Sequence, residues 1–563
     1  MSYFPERPLV VQSDLTVLLE VQNPLYETAR DVLGSFCELE KSPEHIHTYR
    51  ITPLSLWNAA ALGLDVTGTI DALQKLSKYP LPANVRHYII DYMSRYGRLQ
   101  LTKCPDGLLL SSDDAALMTQ VRQATTLADL LLDTVNETQS VVSPKDRGRI
   151  KQELLRFGYP VEDRAGFREG APLPMTLHET TRAEKSFALR PYQKQAVQAF
   201  WASGNGVVVL PCGAGKTVVA LGVMAQAQTN TLILATNITA VRQWIEEIKD
   251  KLAIDASHVG EYSGERKEIL PITVSTYQIL TYRRQGKEFP HFHLFDASNW
   301  GLIIYDEVHL LPAEIFRKTS ELQTRRRLGL TATLVREDGK EGEVFTLIGP
   351  RRFEAPWRML EAQGWIAAAS CIEVRLALPD DQRIEYAMAK EKRKYRLAAE
   401  NPCKDDLVVE LLHRHQGDQV LIIGQYVSQL TTLAQRLDLP LITGQVPSQE
   451  REKLYAAFRN EEIKTLVVSR VANFAVDLPT ANVAIQVSGT FGSRQEEAQR
   501  LGRILRPKPG GGSATFYTLV SRDTKEQEFA SHRQIFLAEQ GYRYEIAHWP
   551  SPSTHNLRPT DKY

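Results

Sequence analysis

One short segment, Gly213–Thr217, combines residue types that together can hold a nucleotide phosphate. Its two glycines allow backbone angles that expose amide N–H groups to an anion, and the helix expected next would add the partial positive charge of its N-terminus. Lys216 can reach the β- and γ-phosphates, and the Thr217 hydroxyl suits Mg²⁺. The strict phosphate-loop pattern is broken, because Leu210 replaces its first glycine. The predicted nucleotide contacts are Gly213, Ala214, Gly215, Lys216 and Thr217.

Two adjacent carboxylates, Asp306 and Glu307, follow the apolar run Leu302–Tyr305. In a parallel sheet, the carboxyl end of a strand faces the ligand crevice. We therefore expect Asp306 to hold Mg²⁺ together with Thr217, and Glu307 to orient or deprotonate an attacking water. An acidic loop after a strand would need no such role, but the phosphate-binding segment upstream favours nucleotide hydrolysis.

Three arginines, Arg500, Arg503 and Arg506, are spaced at i, i+3 and i+6. On a helix they would share roughly one face, where guanidinium groups suit the charge that builds on a γ-phosphoryl group. A solvated basic helix is the alternative interpretation. Because these arginines belong to a later α/β region, hydrolysis would require a cleft between two domains to close. The predicted catalytic residues are Lys216, Asp306, Glu307, Gln499, Arg503 and Arg506.

The elements that must position these residues are strands and helices in alternation. Short β-branched or aliphatic runs begin at residues 206, 231, 273 and 302, and a second series begins at residues 419, 465, 482 and 514. Helix-length segments separate them, which is typical of parallel sheets with crossovers. Two such α/β domains in tandem would leave a cleft that suits a ligand. No strict sequence repeat relates the two series.

The first part of the chain, residues 1–95, is predicted to be a small mixed domain. A strand is expected at residues 16–21, a helix at residues 24–40, and three short helices after residue 52, around 67–77 and around 84–96. Three helices followed by a strand would form a winged-helix-like unit. Such a unit would contact DNA or a partner, or it would serve only as a packing module.

Residues 96–175 are predicted to form a second small unit. It has a strand at residues 107–112 and a helix at residues 143–158. The strand expected at residues 98–102 is the one that follows the three helices of the winged-helix-like unit. The charged stretch that follows, residues 164–185, contains glycine and proline and is expected to be a linker to the α/β region.

The composition is that of an ordinary globular protein and is neutral on function. The 563 residues are enough for roughly three to four domains. The formal net charge of zero neither indicates nor excludes nucleic-acid binding. Five cysteines without a CxxC pair argue against a zinc ribbon or a disulfide framework. No apolar run reaches the roughly 18 residues of a membrane span, and no signal peptide is evident, so we expect a cytoplasmic protein without a membrane partner.

The motifs together resemble superfamily 2 helicases and, within them, the XPB family. The resemblance covers residues 180–545 strongly and the N-terminal part loosely, and a leucine at the first phosphate-loop position is normal in this family. The similar segments are residues 189–193, 209–217, 306–309, 328–338, 495–506 and 533–542.

The resemblance implies a fold of two tandem RecA-like parallel-sheet domains preceded by small mixed α/β domains. The helicase domains would span residues 176–350 and 351–545, with a thumb-like insert near residues 380–405 and a tail at residues 546–563. Residues 96–175 would occupy the place of a damage-recognition domain. ATP would bind between the helicase domains, with Arg190 and Gln193 on the adenine side.

The resemblance also implies a set of DNA contacts. The triplet Arg336-Glu337-Asp338 is associated with DNA opening in this family, and a basic cluster in the insert would bind phosphates without reading sequence. Where relatives carry Gly-Asp, this chain has Ala472-Asn473, which puts the role of that motif in doubt. The predicted DNA contacts are Arg242, Thr276, Arg336, Glu337, Asp338, Lys390, Lys392, Arg393, Lys394, Thr443, Ser469 and Arg470.

The functional expectation is an ATP-dependent 3′–5′ DNA helicase or translocase that needs Mg²⁺ and acts in nucleotide excision repair. Its polarity and its role in repair come from the resemblance alone. Three alternatives stay open: a duplex translocase without processive unwinding, a scaffold that recruits a repair nuclease, and an RNA helicase. The Arg336 triplet favours DNA over RNA.

Overall fold

The structure is a computed structural model that describes residues 3–43, 45–165, 169–211, 213–283, 289–295, 297–311, 326–332, 341–355, 357–365, 369–469, 481–489, 514–539 and 543–549. Part of the predicted site lies outside these ranges, namely Arg336, Glu337, Asp338, Arg470, Gln499, Arg503 and Arg506. The predicted roles of those residues therefore depend on the sequence alone.

The N-terminal part of the chain combines a four-stranded antiparallel sheet with four helices. The sheet has the order β1-β2-β4-β3. The elements are β1 (Leu9–Val11), β2 (Thr16–Glu20), α1 (Tyr26–Phe36), β3 (Glu38–Lys41), β4 (Ile46–Arg50), α2 (Pro53–Ala61), α3 (Val66–Leu76) and α4 (Ala83–Arg95). The three short helices predicted after residue 52 are confirmed. The helix predicted at residues 24–40 was too long, because its last residues form β3 and pair with β4.

The next unit contains a five-stranded sheet of order β7-β8-β6-β5-β9. Its elements are β5 (Leu99–Cys104), β6 (Gly107–Ser112), α5 (Ala115–Gln123), α6 (Thr125–Ala128), β7 (Leu131–Asn136), β8 (Gln139–Val142), α7 (Arg147–Arg156) and β9 (Val161–Asp163). The strands predicted at residues 98–102 and 107–112 and the helix predicted at residues 143–158 are confirmed within a few residues.

The first α/β region contains a seven-stranded, all-parallel sheet of order β14-β15-β12-β16-β17-β11-β18. Two-residue strands β10 and β13 form a separate pair. The elements are β10 (Thr176–Leu177), α8 (Pro191–Ser203), β11 (Asn205–Val209), α9 (Lys216–Ala227), β12 (Thr231–Ala235), α10 (Ile238–Lys251), β13 (Leu252–Ala253), β14 (Val259–Tyr262), β15 (Ile272–Thr276), α11 (Tyr277–Leu280), β16 (Leu302–Asp306), β17 (Arg326–Thr331), α12 (Glu341–Leu347) and β18 (Arg351–Glu354).

The second α/β region contains another seven-stranded, all-parallel sheet, of order β21-β22-β20-β23-β24-β19-β25. The elements are α13 (Trp357–Ala362), β19 (Ala369–Leu376), α14 (Asp380–Met388), α15 (Glu391–Ala399), α16 (Cys403–Arg414), β20 (Val420–Gly424), α17 (Val427–Leu437), β21 (Leu441–Ile442), α18 (Ser448–Arg459), β22 (Thr465–Ser469), β23 (Val483–Gln486), β24 (Ala514–Ser521), α19 (Lys525–Glu539) and β25 (Arg543–Trp549).

The two large sheets share one topology. When the strands of each sheet are counted along the chain, both have the spatial order third, fourth, second, fifth, sixth, first, seventh. Their central strands are buried along their whole length, as β11, β12 and β20 illustrate, because helices cover both faces of a parallel sheet. The prediction of two tandem parallel-sheet domains is confirmed. The first sheet includes β18, so it extends beyond the boundary predicted at residue 350.

A buried charge cluster joins the five-stranded unit to the first large sheet. The Asp163 carboxylate at the end of β9 accepts bonds from Arg147 (2.8 Å to Nη2), Lys151 (2.9 Å to Nζ) and Arg327 (3.1 Å to Nη2). Arg327 belongs to β17, and the Asn205 side chain of β11 donates to the Asp163 main-chain oxygen at 2.7 Å. The small unit is thereby attached to two central strands of the first sheet.

No helix among the residues described in this structure is long and apolar enough to cross a membrane.

Candidate nucleotide and nucleic-acid site

The phosphate-binding loop lies between β11 and α9, as the sequence predicts. Gly213 and Gly215 have φ angles of 81° and 82°, which glycine adopts without steric cost. A Cβ atom at Gly215 would lie 2.6 Å from the side-chain nitrogen of Gln193, so a side chain at this position would force Gln193 to shift. Helix α9 begins at Lys216 and ends at Ala227, so a helix directly follows the loop as expected. Its N-terminus therefore adjoins the predicted phosphate site.

Side chains at the start of α8 brace this loop from behind. The Tyr192 hydroxyl donates to the Ala214 carbonyl at 2.6 Å, and Gln193 Nε2 donates to the same oxygen at 3.1 Å. Gln193 Oε1 accepts from the Arg190 amide at 2.9 Å, and the Arg190 guanidinium lies 4.4 Å from the centre of the Trp365 ring. Of the two predicted adenine-side residues, Gln193 thus contacts the loop and Arg190 contacts Gln193. The contact of either residue with a base stays a prediction.

The two carboxylates, at the carboxyl end of β16, lie at the same edge of the sheet as the loop that follows β11. Lys216 Nζ is 3.0 Å from Glu307 Oε1, so the predicted phosphate-binding lysine and the predicted water-activating carboxylate meet directly. Glu307 has a φ of 48°, and strained backbone at a non-glycine residue is characteristic of functional sites. Burial raises the pKa of Asp306, and the neighbouring Glu307 charge raises it further. Binding of a cation would relieve both costs.

The donor atoms present fit a magnesium ion held with a nucleotide. Asp306 provides carboxylate oxygens, and Thr217 in the first turn of α9 provides a hydroxyl. Mg²⁺ prefers oxygen ligands and commonly uses one or two protein groups together with phosphate oxygens and water. Among the described residues there is no group of three or more His, Cys, Asp or Glu side chains placed to hold a metal. Asp306 and Thr217 would therefore hold the ion jointly with phosphates.

Two aromatic residues whose contact with Asp306 was not predicted from the sequence hold this residue in place. Trp244 Nε1 donates to Asp306 Oδ2 at 2.9 Å, and the Tyr277 hydroxyl donates to the Asp306 main-chain oxygen at 2.8 Å. Both aromatic residues are buried. They adjoin the motif residues Arg242 and Thr276, and that proximity is the signal from which their role could have been suspected.

The predicted DNA contacts of the first α/β region differ in exposure. The Arg242 side chain on α10 is 54% exposed, and it pairs with Glu265. The Thr276 side chain is buried, and its hydroxyl accepts a bond from the Ile279 amide at 3.2 Å, which caps α11. Arg242 is therefore available to a phosphate, whereas the DNA contact of Thr276 stays a prediction.

The predicted contacts of the second α/β region fall into two groups. Thr443 and Ser469 are buried, the latter at the carboxyl end of β22. The basic cluster of the insert lies on and before α15, where Lys390 and Arg393 are exposed and Lys394 is half-buried. Lys392 lies on the same helix. The insert is thus a helical pair, α14 and α15, with cations on its surface.

Three family models match the chain. The description "ERCC3/RAD25/XPB C-terminal helicase" matches residues 360–557, "Type III restriction enzyme, res subunit" matches residues 186–336, and "Helicase conserved C-terminal domain" matches residues 9–136. A solved structure titled "ATP-dependent Type ISP restriction-modification enzyme LlaBIII bound to DNA" superposes with a TM-score of 0.50 at 13% identity, covering 66% of this chain and 32% of that one. At this identity the likeness shows the fold alone.

Curated relatives match almost the whole chain. The protein named "DNA 3'-5' helicase XPB" of Kineococcus radiotolerans is 55% identical over 540 residues, covering 96% of each chain. Its namesake in Mycobacterium tuberculosis is 54% identical and covers 96% of this chain and 97% of its own. The Saccharomyces cerevisiae "General transcription and DNA repair factor IIH helicase/translocase subunit XPB/SSL2" is 30% identical, covering 96% of this chain and 72% of its own. With this similarity and the site geometry together, the chain belongs to the XPB family of superfamily 2 DNA helicases.

Proposed function

We propose that this protein is an ATP-dependent DNA helicase or translocase that moves in the 3′–5′ direction, opens duplex DNA and acts in nucleotide excision repair. The observation that carries the proposal is the meeting of Lys216, on the phosphate-binding loop, with the Asp306-Glu307 pair at one sheet edge. The names of full-length relatives support the DNA substrate and the polarity. ATP and Mg²⁺ are the cofactors that this chemistry requires.

The residues of the first α/β region would perform the chemical step in a simple order. Lys216 leaves Glu307 and binds the β- and γ-phosphates, and the loop amides hold the phosphate oxygens. Glu307 is then free to orient or deprotonate the attacking water. Asp306 and Thr217 would hold Mg²⁺, and the ion would supply positive charge to the phosphates.

The second α/β region would complete the site on closure. Arg503 and Arg506 are proposed to approach the γ-phosphoryl group, where such arginines are worth about 10³–10⁵ in rate. Gln499 is proposed to share this face. Because the arginines lie in the sequence between β23 and β24 of the second sheet, whereas the loop follows β11 of the first, hydrolysis would be coupled to relative motion of the two regions, which would be the basis of strand movement.

The DNA-binding surface would combine exposed cationic side chains with the triplet Arg336-Glu337-Asp338. Arg242, Lys390, Lys392, Arg393 and Lys394 are proposed to bind backbone phosphates, together with Thr276, Thr443, Ser469 and Arg470. Arg336, Glu337 and Asp338 are proposed to separate the strands.

A strand-displacement assay with 3′-tailed and 5′-tailed duplexes tests this function. We expect DNA-stimulated ATP hydrolysis and unwinding only from 3′ tails, both abolished in Lys216→Ala. Unwinding restricted to 5′ tails would contradict the polarity. RNA stimulation equal to that by DNA would contradict the substrate.

A second function, duplex translocation without processive unwinding, is favoured by relatives named "helicase/translocase subunit". Triplex displacement without strand separation would support it.

A repair nuclease is the expected partner, and ATPase rates on forked DNA with and without a candidate nuclease would detect the coupling. If cells carrying Lys216→Ala retained full repair, recruitment of a partner rather than motor activity would be the main function.

A further inference from the structure

Two hydrogen bonds connect the predicted DNA-binding segments directly to Asp306. The first runs from Trp244 Nε1 to Asp306 Oδ2 (2.9 Å), and the second from the Tyr277 hydroxyl to the Asp306 main-chain oxygen (2.8 Å). Trp244 follows Arg242 on α10, and Tyr277 directly follows Thr276. One residue therefore lies between Arg242 and Trp244 in the sequence, and none lies between Thr276 and Tyr277.

The elements that carry these donors are suited to move as units. Asn237 caps α10 by accepting a bond from the Ala240 amide at 2.9 Å. Val241, Trp244 and Ile248 form the buried face of the same helix, while Arg242 points away from it. A helix transmits a shift rigidly because its backbone bonds are internal, so a force on Arg242 also acts on Trp244.

The exposed end of this connection is held by two carboxylates. Arg242 pairs with Glu265, and its Nε lies 3.9 Å from Glu261 Oε2. A DNA phosphate offers the same bidentate acceptor geometry as a carboxylate, so it can replace them. That exchange would change the direction of the force that the Arg242 side chain exerts on α10.

We propose that Trp244 and Tyr277 are positioning residues that link DNA binding at residues 242 and 276 to the orientation of Asp306. DNA bound at these segments would fix α10 and the β15–α11 junction, and the two aromatic donors would then fix the carboxylate. The inference rests on the proposed function, since it assigns to that site the means by which DNA stimulates hydrolysis.

The physical basis is the fixed direction of a metal-binding carboxylate. One oxygen of Asp306 accepts the indole N–H, and the other would be available to a cation. Removal of such an outer-shell partner typically reduces metal affinity or activity by about 10–100-fold. Without the Trp244 bond the carboxylate would rotate, and without the Tyr277 bond the main chain at the end of β16 would lose one of its anchors.

The experiment uses the full chain with Trp244→Phe and Tyr277→Phe, which keep the rings and remove only the donors. Matched controls are Trp300→Phe, which loses an equally buried indole bond (2.9 Å to the Leu294 carbonyl), and Tyr262→Phe, which loses a hydroxyl bond to His291. Three quantities are measured: ATP turnover against forked-DNA concentration, DNA affinity, and the Mn²⁺ concentration needed to bind a fluorescent ADP analogue.

We expect Trp244→Phe to lower maximal DNA-stimulated turnover by about 10–100-fold and to raise the required Mn²⁺ concentration, with Tyr277→Phe acting in the same direction. DNA affinity and half-stimulating DNA concentration should be unchanged, and both controls should behave as the parent. Parent-like stimulation and Mn²⁺ dependence in both variants would overturn the inference, as would equal losses in the controls. A parent chain without DNA stimulation would instead refute the proposed function.

Discussion

Three charged residues of the nucleotide site, Lys216, Asp306 and Glu307, have partners within the chain. Lys216 pairs with Glu307 at 3.0 Å, and Asp306 accepts from Trp244. In the proposed mechanism a phosphate would displace Glu307 from Lys216. The same displacement would free the carboxylate to act on water, so nucleotide binding and activation of the proposed base would be one exchange of partners.

Glu307→Gln separates these two consequences. The amide cannot take a proton from water, so we expect turnover to fall by about 10²–10⁴-fold, which is the usual contribution of a general base. Because Lys216 loses a competing charge, affinity for a fluorescent ATP analogue should be retained or increased. Steady-state hydrolysis and equilibrium titration measure the two effects. Parallel loss of affinity and turnover would contradict the exchange, and Lys216→Ala is the comparison that should lose binding.

At the scale of elements, the buried charge cluster attaches the five-stranded unit to the strand β17. Arg147, Lys151 and Arg327 share the single carboxylate of Asp163, and all four side chains are buried. Burial, together with the two arginines, lowers the pKa of Lys151 to about 7 against the attraction of Asp163. Burial alone would raise the pKa of Asp163, but the three cations hold it well below its ordinary value.

The cluster makes stability depend on pH through Lys151. Its pKa is about 7 in the folded chain and about 10.5 when unfolded, so the unfolded state binds more protons between these values and stability rises with pH there. At pH 6.5 the folded protein carries the full cost of a buried third cation. Lys151→Met removes that cost at similar volume, so it should be neutral or stabilising at pH 6.5 and lose this advantage towards pH 9.

Urea unfolding of the parent and Lys151→Met at pH 6.5 and pH 9 measures this effect. The difference between the two proteins should change by up to about 1.4 kcal/mol per pH unit. Lys464→Met at a half-exposed lysine is the control, and its difference from the parent should be independent of pH. Equal differences at both pH values for Lys151→Met would contradict the assignment.

At the scale of the whole molecule, the N-terminal part contacts both α/β regions. The Arg351 amide at the start of β18 donates to the Asn58 side chain at 3.0 Å, and Arg351 Nη2 donates to the Ser35 carbonyl at 3.0 Å. On the other side, Ile535 and Ala538 of α19 are buried in the N-terminal apolar core. One small unit thus spans the two sheets whose relative motion the proposed mechanism needs.

Ile535→Ala should weaken this bridge. Truncation of a buried isoleucine typically costs about 2–5 kcal/mol, and here the loss falls on the contact between α19 and the N-terminal core. We expect faster proteolytic separation of the N-terminal part, measured by limited proteolysis of the full chain. Ser531 is an exposed residue one turn earlier on α19, and the control variant Ser531→Ala should be digested like the parent. Unchanged digestion of Ile535→Ala would contradict a bridging role.

Much of the fold and part of the candidate site could be predicted from the sequence alone. Apolar runs of strand length alternating with helices specify parallel sheets, because such strands are buried on both faces. The spacing of Gly213–Thr217 placed the loop and the start of α9, and Asp306 was expected at the end of β16. Family resemblance added the XPB assignment, which full-length relatives support.

The tertiary structure alone decided which residues meet across the sheet. Trp244 and Tyr277 reach Asp306, Tyr192 and Gln193 reach Ala214, and Asp163 reaches Arg327. The shared strand order of the two sheets was equally hidden, as was the position of β18 in the first sheet. The hydrophobic periodicity of a segment indicates which face of that helix or strand is buried. It does not indicate which other element covers that face, because strand order and crossover connections place elements from distant parts of the sequence side by side.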